Sequence, residues 1–192
     1  MEAAGILEDF LIYPANLDKA LQGSQQVFLS VDRRRCQYLF YGVIRHWRLL
    51  RTVLDRMIRR RPKPGLQAAL LLGAFEILDN REDSGRIARI VDHAVTHAAK
   101  SLSQREAGLV NAVLRAFPDR LQDLLDSLDR RSVKQTAIRM SHPDWLVDRW
   151  IDAFGREATL ELMSWNQRTP ETYIRLDEKL ESPPAGIEPT PW

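Results

Sequence analysis

The sequence predicts an all-α protein, and three observations carry that reading. Apolar residues recur at i, i+3 and i+4 through most of the chain, most cleanly in Ile87, Ile90, Val91, Ala94, Val95 and Ala98. Helix starts and stops are spelled out, as in Ser103 with Glu106 three residues on, a capping box. Alternation of the strand type is confined to a weak stretch, Thr172–Asp177.

The elements come in order along the chain. Two short apolar stretches, Ile6–Tyr13 and Leu17–Leu21, flank Pro14. Asp32 reads as an N-cap, and a long helical pattern runs from it to about Ile58, bent or broken near His46–Arg48. The run Arg59-Arg60-Arg61-Pro62-Lys63-Pro64-Gly65 ends it, because prolines cannot continue a helix and disfavour it in the residue before. Leu66–Leu78 is apolar on nearly every side, the mark of a helix at the centre of a bundle. Next come Arg86–Lys100 and a helix opened by Ser103. The second carries a stripe of Val110, Val113, Leu114 and Phe117 and is expected to stop at Pro118. A short helix is predicted over Asp119–Leu128. Residues 129–140 are charged and aperiodic and read as a linker. Ser141-His142-Pro143-Asp144 opens a helix with Val147, Trp150, Ile151 and Phe154 on one face and Gly155 as its C-terminal cap; Arg156–Trp165 is the last. The implied organisation is a helical bundle over residues 1–130, then a linker and partial second domain over 131–192, with a proline-rich tail.

The longest apolar run, Ala68–Phe75, is far short of the ~20 residues of a membrane span. The opening MEAAGILEDF has acids where a signal peptide needs positive charge, so the expected compartment is the cytoplasm, with no membrane partner. A single cysteine, Cys36, excludes an internal disulfide and a four-cysteine zinc site; its place in a helical apolar pattern reads as a small buried hydrophobe, and the nearby Arg33–Arg35 leave a reactive thiol as the alternative. No glycine-rich phosphate loop, HExxH or serine elbow occurs. His93 and His97 have a metal-compatible i, i+4 spacing but no third ligand nearby, and read as polar surface or interhelical histidines. His142, beside Pro143, reads as a capping or packing residue.

The net charge of +2 conceals a strong asymmetry. Residues 1–32 carry net −4, residues 33–63 net +10 and residues 64–192 net −4. On a helical wheel Arg45, Arg48, Arg51, Arg56 and Arg59 gather on one side with Thr52 and Asp55, opposite Leu50, Val53, Leu54 and Met57. A solvated face normally mixes signs, because like charges at i, i+4 repel by a few tenths of a kcal/mol. Arg33, Arg34 and Arg35 come just after an expected helix start, where bases oppose the helix dipole at roughly 0.3–1 kcal/mol each. Arginine is also the side chain best shaped for bidentate phosphate contacts. The expected partner is a nucleic acid, held by Arg33, Arg34, Arg35, Arg45, Arg48, Arg51, Arg56, Arg59, Arg60, Arg61 and Lys63. The competing expectation is a solvated or protein-facing surface.

Several phrases, taken together, resemble the NusB-like domain: Asp32-Arg33, Tyr41-Gly42-Val43-Ile44-Arg45, Leu54-Asp55, Leu72–Leu78, Val91-Asp92-His93-Ala94-Val95 and Gly108-Leu109-Val110-Asn111-Ala112-Val113-Leu114-Arg115. The continuation Ser141–Val147 and Asn166-Gln167-Arg168-Thr169-Pro170 is similar to the segment C-terminal to that domain in RsmB-type (Sun/Fmu) ribosomal RNA cytosine-5 methyltransferases. The resemblance implies an all-helical module that binds ribosomal RNA and positions it for an S-adenosylmethionine-dependent catalytic domain. That domain's paired cysteines and glycine-rich loop are not in this chain, so no cofactor is expected here. The acidic residues 1–32 depart from the arginine-rich N-terminus common in NusB-like proteins, which shifts the expected RNA contacts to Arg33–Lys63. The alternative the resemblance leaves open is a protein-interaction or transcription antitermination module, with a ribosomal protein or the missing methyltransferase domain as partner.

Overall fold

The computed structural model describes residues 2–14, 30–129 and 131–171. Among them are nine helices and no strand: α1 (Glu2–Ile12), α2 (Ser30–Arg45), α3 (Trp47–Met57), α4 (Pro64–Asp79), α5 (Ser84–Ser101), α6 (Gln104–Ser127), α7 (Val133–Arg139), α8 (Asp144–Phe154) and α9 (Arg156–Asn166). The stretches Leu17–Leu21, Thr172–Asp177 and the proline-rich tail lie outside the described residues.

α4 is the axis of the bundle. Pro64 sits at its start, where a missing N–H breaks no helical bond. From Gly65 to Ile77 every residue except Glu76 is buried, because α1, α2, α3, α5 and α6 all pack against it. Two glycines let neighbouring helices come close. A Cβ on Gly42 would stand 2.0 Å from the Phe75 ring, and one on Gly73 would stand 2.4 Å from a Leu114 methyl. Phe40, Leu50, Leu71, Leu114 and Phe117 are among the fully buried side chains of this core. Each is worth roughly 1.5–3 kcal/mol relative to exposure.

The long basic pattern does break, at His46: α2 ends at Arg45 and α3 begins at Trp47. Three expectations are corrected. α2 is already helical at Ser30, so Asp32 lies in its first turns and is not the N-cap. α6 continues through Pro118 as one helix to Ser127. A proline in a helix interior costs ~3 kcal/mol, but Phe117, Leu121 and Leu124 extend the buried stripe of Val110, Val113 and Leu114 without a phase change, and that burial holds the helix together. Within the supposed linker, residues 133–139 form α7. The Ser132 hydroxyl accepts from the Gln135 N–H at its start, and the Arg139 side chain donates to the Leu125 carbonyl.

α7, α8 and α9 form a small unit around Ala137, Val147 and Met163. Gly155, at φ 78°, joins α8 to α9 in a left-handed conformation that favours glycine. The unit leans on the bundle where α7 meets α3.

Candidate nucleic-acid interface

α3 turns Leu49, Leu50, Val53 and Leu54 into the core. That leaves Arg48, Arg51, Thr52 and Asp55 facing outward, as the periodicity predicts. They do not all face water. The amino end of α3 has no cap from its own neighbour His46. The cap comes from far along the chain: Ser141 Oγ accepts from the Arg48 N–H at 2.9 Å and the Leu49 N–H at 3.3 Å. Ser141 holds φ 55°, a left-handed conformation unfavourable for a residue with a Cβ. The bonds it makes there satisfy two amides that a helix start leaves open.

Arg48 completes the joint. Its guanidinium donates to the His142 carbonyl at 2.6 Å and lies 2.7 Å from Asp144 Oδ1. The contact with Asp144 is ionic, its angle outside hydrogen-bond geometry. Asp144 also opens α8, where a carboxylate suits the helix dipole. The phrase Ser141-His142-Pro143-Asp144 is thus the seat of Arg48, and α3 is bolted to the unit of α7–α9.

The other predicted arginines divide into two sets. Arg35 pairs with Glu76 at 2.6 Å, and Arg51 with Asp55 at 3.2 Å. Arg45 is half-buried, and desolvation holds its guanidinium below the usual value. Arg33, Arg34, Arg56, Arg59, Arg60, Arg61 and Lys63 are exposed. Among the described residues, no carboxylate ion-pairs with Arg56, Arg59, Arg60, Arg61 or Lys63. Because α3 ends at Met57, Arg59 belongs to the loop between α3 and α4 and not to the helical face on which the wheel places it. Counting charges along the basic segment also misses acids. Glu76 and Asp144 come to the arginines from 41 and 96 residues away, a fact no local pattern contains.

A groove of about 980 Å³ opens along this seam. Phe10, Ile44 and Trp47 give it an apolar floor, and Arg51, Asp55 and Arg61 stand at its edge. The Ser141–Asp144 turn forms the opposite wall. A smaller hollow of about 410 Å³ lies beside Arg45, where Trp165, two-thirds exposed, meets Arg168.

Two histidines are held neutral. His46, at the break between α2 and α3, stacks on Phe75 with ring centroids 5.8 Å apart, and burial lowers its pKa to about 4. The adjacent Arg45 charge acts in the same direction. His142 is buried against Trp150, and burial lowers its pKa while its ring bond to the Met140 carbonyl opposes the shift. Both are packing groups. Tyr38 donates to Asp79, and burial together with that bond pushes its hydroxyl up to about 12.

The described residues do not fit S-adenosylmethionine. Cys36 is buried in the core, and Gly42 and Gly73 are filled against Phe75 and Leu114 instead of lining a phosphate or adenosine cradle. Among these residues no three metal-ligating side chains converge, and no helix is long and apolar enough to cross a membrane.

The model described as the NusB family matches residues 7–119. A probable ribosomal RNA small subunit methyltransferase B of Synechocystis is 29% identical over 167 residues, covering 84% of this chain and 36% of the relative. The ribosomal RNA small subunit methyltransferase B of Thermus thermophilus is 33% identical over 157 residues, covering 80% of this chain and 34% of the relative. The Shigella flexneri protein of the same name is 27% identical over 180 residues, 91% of this chain and 39% of its own length. The chain spans somewhat over a third of these curated relatives.

Proposed function

The chain belongs to the NusB family, and from that premise we propose that it is an RNA-binding module of the kind that leads a ribosomal RNA small subunit methyltransferase. The observation that carries the reading is the exposed loop Arg59-Arg60-Arg61 with Lys63, continued by Arg56 on the last turn of α3. Five cations stand there without a carboxylate partner among the described residues, and one of them, Arg61, lines an aromatic-floored groove. Clustering like charges is unfavourable unless a polyanion neutralises them, and guanidinium groups suit phosphate geometry. Such contacts hold a strand without reading its sequence. The finer reading draws on the names of the relatives, which give the ribosomal RNA and the methyl transfer, and on the family resemblance, which implies the cofactor and the further domain. The module holds ribosomal RNA in place for an S-adenosylmethionine-dependent catalytic domain, which would supply the cofactor site that the described residues lack.

Filter binding of the full 192-residue chain to a ribosomal RNA fragment tests this across 50–200 mM salt. With four or five phosphates neutralised, log affinity should fall against log salt with a slope of roughly −3 to −4.5. A flat response would refute the reading.

A second, protein-facing surface has its own support. Trp145, Phe154 and Trp165 on α8 and α9 are each 60% exposed or more. Pull-down with and without nuclease separates the readings, since partners bridged by RNA are lost on digestion.

A further inference from the structure

We infer that the groove between α3 and the Ser141–Asp144 turn is a pocket for one unpaired RNA nucleotide, its base against the Trp47 floor and its phosphate on Arg61. The inference rests on the RNA-binding reading above and assigns a distinct task to a distinct part of the surface.

The composition of the groove separates it from the loop. A trough for phosphates alone would show unpaired cations and no need of apolar walls. Here the floor is Phe10, Ile44 and Trp47, all half-buried and all facing the opening. Two of the three arginines in the wall are already neutralised, Arg48 by Asp144 and Arg51 by Asp55. The remaining one, Arg61, has no carboxylate partner among the described residues and sits where the groove meets the basic loop. An aromatic floor, a paired donor and acceptor, and one available cation are what a nucleotide requires. The ring stacks on the floor, a ring N–H and a carbonyl of the base find Asp55 and Arg51, and the phosphate finds Arg61. A volume of about 980 Å³ is at the upper end of the range for small-ligand sites, roughly 300–1,000 Å³, with room for a base and its sugar.

The same features select against paired RNA. In an A-form duplex the bases are stacked on one another, and only sugars, phosphates and groove edges reach a protein. A duplex can therefore use Arg56, Arg59, Arg60 and Lys63 but not the floor. An unpaired strand can use both. Ser141 and Arg48 hold the two walls in register, so the groove is preformed before ligand arrives.

The test uses two fluorescein-labelled probes at one salt concentration, a twelve-nucleotide oligouridylate and a twelve-base-pair RNA duplex, each titrated by anisotropy. Thr52 lines the groove from α3 and donates its hydroxyl to the Arg48 carbonyl. Thr52→Trp fills the groove and should weaken the oligouridylate about tenfold while changing the duplex less than twofold. Thr52→Ser, which keeps the hydroxyl, should leave both at wild-type values. Pro143→Phe blocks the same space from the opposite wall and should repeat the Thr52→Trp pattern, which guards against a helix defect in α3. Equal weakening of both probes by both blocking variants, or no weakening of either, overturns the nucleotide pocket while leaving the basic loop intact. Failure of the wild-type chain to bind either probe overturns the RNA reading itself.

Discussion

Arg48 and Arg59 lie eleven residues apart in one basic run and have opposite fates. Arg48 is three-quarters buried between a carbonyl and a carboxylate of the α7–α8 turn, and holds two parts of the fold together. Arg59 stands in water on a loop with Arg60 and Arg61 beside it. The same residue type joins helices where long-range packing brings it a partner, and stays exposed where none arrives. Charge counted along the chain measures the sum of the two uses and separates neither.

The two fates come apart most directly at the loop. Arg59→Glu, Arg60→Glu and Arg61→Glu together should lower RNA affinity by a factor of about 100 or more at 0.1 M salt and reduce the salt slope by roughly 2–3, with the melting temperature nearly unchanged. An unaltered slope would place the phosphate contacts elsewhere.

Acid should act on the seam and not on the loop. His46 has a folded pKa of about 4 against an ordinary value of 6.5, so the unfolded chain binds the extra proton between those values. Stability is therefore full above about pH 6.5 and is lost as pH falls toward 4, by at most ~3 kcal/mol from this group. Burial of His142 acts in the same direction. Thermal melts at pH 7 and pH 4.5 give the slope. His46→Gln should flatten it, and an equally steep slope in that variant would remove His46 as the cause.

Arg48→Ala should cost about 2 kcal/mol, since it strands a partly buried carboxylate and a carbonyl. Hydrogen exchange should show protection lost over residues 133–166 and retained over 64–127, with the affinity for duplex RNA, which relies on the basic loop, changed less than threefold. A large affinity loss without that exchange signature would return Arg48 to the ligand-binding set. Ser141→Ala is the mildest change, about 1 kcal/mol, the ordinary cost of removing a cap. Its fingerprint is faster exchange at the amides of Arg48 and Leu49.

Much of the fold was legible because its strongest signals are local. α4 declared itself by being apolar all round, α5 by its stripe, α6 by Ser103 and Glu106, and the break at His46 by the failing pattern there. The errors have a common origin in burial that local rules do not see. Pro118 should end a helix by its own chemistry, yet the leucines beyond it are held by the same core as the residues before. α7 is seven residues long and too short to show a period; Thr136 and Ala137 are buried by α8 and α9. At the candidate site the exposed cations were readable and their neutralised neighbours were not. Arg51 has its partner Asp55 within one helical turn, but Arg35 and Arg48 look like the exposed arginines in the sequence, and Glu76 and Asp144 tell them apart only after folding. The groove was unreadable for the same reason, since Phe10, Trp47 and Pro143 meet nowhere but in space.

The borrowed cap on α3 has a practical consequence. A fragment cut at residue 129 would keep the whole bundle yet strip Ser141 and Asp144 from the start of that helix. It would bare two backbone amides and an orphaned guanidinium, side by side at the positive end of a dipole. Those three donors make an anion trap absent from the intact chain, so polyanion affinities measured on the trimmed piece would run too high.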